Sequence, residues 1–270
     1  MTPRNASVAL IGAGDFIGSA IAERFAAEGY LIYAGRRTAD KLQTLKDKIE
    51  ATGGRCQARG LDARVEEDIS AFIAEANEAA PLEVCIFNPG ANVNFPILET
   101  TERVFRKVWE LACYGGFLTG REAARHMLPR GSGSIFFTGA TASVRGGVGY
   151  AAFASAKFGL RAVAQSMARE LGPQGIHVAH LIIDSGVDTA FVRERIRARG
   201  GAADAGAGIG LDLLHRRDGV GARRRRVCRV RQRQGGSAGG GAVDGARAGA
   251  EEHPRRAPYH RLRRRHRIRP

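Results

Sequence analysis

No run of this sequence is long and apolar enough to cross a bilayer. Its opening residues, MTPRN, lack the apolar segment of a secretory signal. A cytoplasmic protein with no membrane partner is therefore expected. Cysteine is sparse. Cys56, Cys85, Cys113 and Cys228 are scattered and show no metal-type spacing, which argues against a cysteine-bound metal and for inert thiols in a reducing compartment. Lysine disappears after residue 200. Residues 201–270 hold 18 arginines, no lysine and six acids, and so carry +12 of the formal net charge of +15. The first 200 residues are nearly balanced, as an ordinary enzyme surface is.

What is present begins with SVALIGAGDFIGSAIAERFAAEG, residues 7–29. The apolar run Val8 to Ile11 suits a buried strand. A turn of Gly12, Gly14, Asp15, Phe16, Ile17 and Gly18 follows. A helical pattern then places Ile17, Ile21 and Phe25 on one face, and Gly29 ends it. A strand, a glycine turn and a helix start form a diphosphate site: small residues let the backbone approach, and free N–H groups face the anion. Dinucleotide binding is the expectation.

A second strand, Tyr30 to Ala34, ends in Gly35-Arg36-Arg37. An acid here would accept hydrogen bonds from the adenosine ribose; two guanidinium groups instead suit a 2′-phosphate, favouring NADP(H) over NAD(H). Thr38 is expected to cap a helix to about Thr52, with Leu42, Leu45 and Ile49 inward. A strand from Arg55 to Leu61 leads to Asp62, placed where an adenine amino group would lie. A helix with Val65, Ile69, Phe72 and Ile73 inward, a strand from Leu82 to Phe87 and the turn Asn88-Pro89-Gly90-Ala91 follow. Residues 101–128 read as helix with a break near Gly115-Gly116, 134–138 as a fifth strand, 150–171 as helix and 177–183 as a sixth strand. Alternating strands and helices predict a doubly wound, parallel, three-layer α/β domain over residues 1–199.

Over about residues 5–198 this sequence resembles the short-chain dehydrogenase/reductase family. The carriers are Gly12-x-Gly14-x-x-x-Gly18, Asp62, Asn88-x-Gly90, Lys157, and Gly186-Val187-Asp188-Thr189 after the sixth strand. The resemblance implies a Rossmann-like subunit, a nicotinamide cofactor held in part by these residues, and hydride transfer on a small carbonyl, alcohol or activated alkene. It also implies homodimers or homotetramers built partly on two long helices.

The departures concern the chemistry. Phe16 stands where the glycine motif has its middle glycine. The family's Asn, Ser, Tyr and Lys map onto Ala112, Ala140, Phe153 and Lys157, so only the lysine remains. A phenyl ring has no proton to give and a methyl cannot polarise a carbonyl, and acid–base catalysis alone supplies about 10²–10⁴-fold. Tyr150, seven residues before Lys157, has a spacing similar to that of enoyl-thioester reductases; it reads equally as a packing residue. Thr141 and Ser143 offer substitute hydroxyls. Lys157 suits the nicotinamide ribose. His177 and His180 alternate with apolar neighbours and read as structural. An alternative is an NADP-binding protein without turnover.

From about Gly200, Gly, Ala and Arg dominate. Residues 200–270 read either as out-of-frame translation of a GC-rich gene or as a disordered basic tail. No further strand is expected there, which would leave the sixth strand as a sheet edge. The arginine runs at 223–226 and 261–270 could attract nucleic acid, but Tyr259 is the only aromatic in this tail, and a nucleic-acid partner is not expected.

Overall fold

In the computed structural model the described residues are 2–184, 209–212 and 228–230. The chain divides into two compact units, residues 1–231 and 232–270, and all described residues lie in the first. The expected boundary at 199/200 falls outside the described residues.

The strands are β1 (Ser7–Ile11), β2 (Leu31–Arg36), β3 (Arg55–Gly60), β4 (Leu82–Phe87), β5 (Gly133–Ala140) and β6 (Ile176–Ile183). They form a parallel sheet in the order β3-β2-β1-β4-β5-β6. Order reverses at β1, whose C-terminal end therefore borders a crevice between β1 and β4. β1 is buried throughout, as a central parallel strand covered on both faces must be. Val8 and Leu10 join Ala22, Ala26, Leu45 and Ile49 on one face; Ala9 and Ile11 join Ile69, Phe72, Ile73, Leu118 and Leu160 on the other. The helices are α1 (Ile17–Ala27), α2 (Gln43–Ala51), α3 (Glu66–Ala79), α4 (Glu102–Trp109), α5 (Gly115–Met127) and α6 (Ala151–Leu171). The three-layer doubly wound architecture is the one expected.

Several local expectations are corrected. The inward face of α1 is Gly18, Ala22 and Ala26, with Ile21 and Phe25 only flanking it; small residues let the helix lie close on the sheet. Thr38 makes no side-chain cap, and a 3-10 turn over Ala39–Leu42 leads into α2 instead. Val65 is exposed at the N-cap of α3. The break in residues 101–128 is a π-helical turn, Glu110–Tyr114, just ahead of Gly115.

Beyond β6 the sheet continues. Strand β7 (Ile209–Asp212) pairs antiparallel with β6, and β8 (Cys228–Val230) antiparallel with β7. The expectation that the tail adds no strand and leaves β6 as an edge is thus corrected. An antiparallel neighbour needs no crossover helix, so the loss of helical periodicity did not exclude it. The other edge, β3, exposes Arg55, Gln57 and Arg59.

Candidate active site

The glycine turn opens at the C-terminal end of β1. Gly12 has φ +86°, and a Cβ there would lie 2.8 Å from Pro89 N, so this position needs glycine for both conformation and space. A Cβ on Gly18 would lie 2.7 Å from Ala13 Cα; its absence seats the first turn of α1 against the strand end. Around Gly14 and Gly90 a Cβ would meet nothing within 4 Å, so both positions face open space among the described residues. Phe16 forms the N-cap without a side-chain bond, and the residue is 54% exposed. The wide side chain in place of a glycine is accommodated by turning outward.

Asn88 joins the two strand ends. Its backbone N–H donates to Ile11 O at 2.9 Å and its Nδ2 to Gly12 O at 2.9 Å. Lys157, 2% exposed on α6, donates from Nζ to Thr138 O at 2.8 Å and Pro89 O at 3.1 Å. Glycine turn, Asn88-Pro89-Gly90 and Lys157 are therefore one hydrogen-bonded assembly across β1, β4 and β5. Burial draws the Lys157 ammonium down to about 8, with the nearby Cys113 opposing weakly.

Arg36 and Arg37 part company. Arg36 Nη1 binds Asp15 Oδ1 at 2.6 Å, while Arg37 is exposed. No acid stands at the end of β2 in sequence, yet Asp15 of the glycine turn brings a carboxylate to Arg36. Asp62 is clasped by Arg64, a residue the sequence reading did not single out: Nε to Oδ1 at 2.9 Å and Nη2 to Oδ2 at 2.5 Å. The Arg64 guanidinium holds the Asp62 carboxyl below the usual carboxylate range, with Arg37 adding to it. Two-residue spacing at a helix entrance was the available signal.

The remaining positions of the catalytic set are apolar together. Ala112 is fully buried in the π-helical turn and Phe153 is 7% exposed; with Val108, Cys113, Ala152 and Ala156 they make one cluster, against which Ala140 and Tyr150 pack. The Phe153 ring centroid lies 6.0 Å from Lys157 Nζ and 6.4 Å from the Tyr150 ring. Tyr150 is the N-cap of α6.

Two hydroxyls flank this cluster. Thr141 Oγ1 donates to Asp184 Oδ1 at 2.5 Å. Ser143, fully buried, accepts from the Ala140 N–H at 3.0 Å and lies 3.4 Å from His180 Nε2. His180 is buried with Nδ1 unpartnered among the described residues, and burial, then the charges of Lys157 and Arg161, push it down to about 4. That accords with a structural histidine. His177 packs edge-on against Phe136. Thr189 and the rest of 186–189 lie outside the described residues. Among those described, no group of His, Cys, Asp and Glu could hold a metal, and no helix is long and apolar enough to cross a membrane.

The family described as short chain dehydrogenase matches residues 6–199. The short-chain reductase protein NovJ of Streptomyces niveus is 31% identical over 201 residues, covering 74% of this chain and 76% of that protein. The 3-oxoacyl-[acyl-carrier-protein] reductase MabA of Mycobacterium tuberculosis is 30% identical over 194 residues, 71% and 74% of the two chains. Among solved structures, a short-chain dehydrogenase from Rhodopseudomonas palustris is 64% identical, with TM-score 0.67 over 75% of this chain and 95% of that one. An NAD+-bound xylitol dehydrogenase, 21% identical with TM-score 0.69, shares the fold.

Proposed function

Given that this chain belongs to the short-chain dehydrogenase family, we propose that it transfers hydride between NADP(H) and a small alcohol or carbonyl, or an activated alkene. The observation that carries this reading is the single assembly of Gly12, Asn88 and Lys157 at the crevice where strand order reverses. The cofactor, when bound, supplies the hydride chemistry; the protein's part is to hold it and to move a proton. The glycine turn 12–18 takes the diphosphate, Asn88 and Gly90 border the ribose and nicotinamide, and Lys157 offers its remaining N–H to the ribose hydroxyls. Thr189 joins this set as a cofactor contact. Arg36 and Arg37 take the 2′-phosphate, and Asp62 meets the adenine through or beside Arg64.

Phe153 cannot serve as the acid. Proton transfer therefore falls to one of two hydroxyls beside the cluster, Tyr150 or Thr141. Exposed Phe105, Trp109 and Phe117 along one side of α4 and α5 give a second copy an apolar face, and support the dimer or tetramer. We assign the protein to the cytoplasm and do not assign residues 200–270 to a nucleic-acid partner; of these residues, β7 and β8 extend the sheet of the catalytic domain.

The test is a fluorescence titration of the full chain with NADPH and NADH, followed by turnover with aldehydes, ketones, alcohols and enoyl thioesters. Binding of NADPH more tightly than NADH, with turnover of at least one class, is expected. No binding of either nucleotide overturns the reading; binding without turnover reduces it to a nucleotide-binding protein.

A further inference from the structure

We infer that Asp184, acting through the hydroxyl of Thr141, is the proton acceptor of this site and replaces the missing phenol. This rests on the hydride-transfer reading above.

The placement follows from register. In the parallel pair β5/β6, Ala140 lies opposite Ile183. One residue further, Thr141 and Asp184 leave the sheet side by side, at the C-terminal strand edge where ligands collect in parallel sheets. Thr141 is half-buried and begins the turn 141–143, directly after the Ala140 that stands against the apolar cluster. Asp184 is exposed, so a proton it receives has a path to water.

The direction of the hydrogen bond decides what the pair can do. The Thr141 hydroxyl spends its one proton on Asp184 Oδ1 at 2.5 Å. Its oxygen then presents lone pairs and no donor. In that state it cannot polarise a carbonyl oxygen as a serine would, but it can accept a hydrogen bond from an alcohol. In oxidation the alcohol O–H passes its proton to Thr141 Oγ1 as the Thr141 proton moves to the Asp184 carboxylate. The C–H bond breaks with its electron pair leaving as hydride to the oxidised nicotinamide, and the C=O bond forms. Asp184 then releases the proton to water. Charge and atoms balance: alcohol and oxidised cofactor give carbonyl, reduced cofactor and one proton. Reduction is the reverse and needs Asp184 protonated first. The Tyr150 ring is seated against Phe153. Asp184 acts through Thr141 and is thus a positioning and relay residue, while Thr141 is the group that touches substrate.

The experiment separates a relay from a brace. Asp184→Asn keeps an oxygen that accepts from Thr141 but takes up no proton. Thr141→Ser keeps the hydroxyl; Thr141→Val keeps the shape without it. Each full-length variant is assayed for NADP+-dependent oxidation of a panel of small primary and secondary alcohols, for NADPH binding by fluorescence, and for thermal midpoint. Expected are a fall in kcat of at least about 100-fold for Asp184→Asn and for Thr141→Val, activity within about threefold for Thr141→Ser, and no further loss in the double variant Thr141→Val/Asp184→Asn, as for groups acting as one unit. NADPH affinity and thermal midpoint stay near those of the parent. Asp184→Asn with full activity overturns the relay and leaves the hydride-transfer reading intact. A parent chain that binds NADPH and oxidises no alcohol overturns the relay as well. A parent chain that binds no nucleotide overturns the reading on which it rests.

Discussion

Arg36 Nη1 sits 2.6 Å from Asp15 Oδ1, so the guanidinium expected to receive a 2′-phosphate is held by a carboxylate of the phosphate turn. The Asp15 side chain is 69% exposed, and an exposed pair contributes roughly 0.2–1 kcal/mol. On the proposed NADP(H) reading, Asp15 competes with a 2′-phosphate for Arg36 without excluding it. Asp15→Asn should raise the preference for NADPH over NADH by about two- to fivefold, and Arg36→Ala with Arg37→Ala should erase it. Paired fluorescence titrations of both nucleotides measure this. An unchanged ratio in Asp15→Asn would show that Arg36 plays no part in cofactor choice.

The apolar catalytic positions suggest restoration. Phe153 lies 6.0 Å from Lys157 Nζ and Ala140 borders the same cluster. Phe153→Tyr with Ala140→Ser should raise carbonyl reduction at least about 100-fold, within the range of positioned acid–base groups. The single changes should each give less than the pair. Steady-state kinetics with a panel of aldehydes and ketones, at saturating NADPH, checks it.

Lys157 carries a pH signature in stability. Burial lowers its folded pKa to about 8 from the ordinary 10.5. Between these values the unfolded chain keeps a proton that the folded chain has lost, so stability rises with pH and levels off above 10.5. The span corresponds to about 3 kcal/mol. Cys85, pushed up to about 12 by burial, acts oppositely, because its thiol ionises first in the unfolded chain. Urea unfolding of the parent and of Lys157→Met, subtracted pH by pH, isolates the lysine. The difference should grow in the parent's favour from pH 8 to 10.5.

His180 governs the acid side. Its folded pKa is near 4 against an ordinary 6.5, so the unfolded chain takes up the proton first as pH falls. The His180 contribution should fall by about 3 kcal/mol between pH 6.5 and 4 and flatten below, where the loss passes to the depressed Asp62 carboxyl. His180→Gln, which keeps a partner for Ser143, should show a shallower loss over this window in acid unfolding curves.

The parts of the fold written in short-range pattern were legible. Val8 to Ile11 and Leu82 to Phe87 are near-continuous apolar runs because parallel strands are covered on both faces, and the glycine turn declared itself by spacing. Helix faces were less legible. In α1 the bulky Ile21 and Phe25 suggested the core face, whereas the small Gly18, Ala22 and Ala26 set the distance to the sheet. In the site, Asn88 and Lys157 were found as single residues, but their shared partners at Gly12, Pro89 and Thr138 depend on strand order. Asp184 was missed for the same reason: it meets Thr141 across 43 positions of sequence, through a register that no local pattern reveals. Arg64 was adjacent to a named residue and was passed over because an arginine at a helix entrance reads as a solvated charge.

The outermost strand β3 also bears on how the molecule behaves in a crowd. Its free side is a row of backbone donors and acceptors onto which another chain's strand could add, the first step of β-aggregation. Arg55, Gln57 and Arg59 stand exposed on that strand, and Arg59 is further occupied by Glu75 at 2.7 Å. Arg55 is likewise held, by the Arg4 and Gly29 carbonyls, so a strand approaching this edge meets long polar side chains already bonded to the protein. This edge of the sheet thereby stands against growth by strand addition.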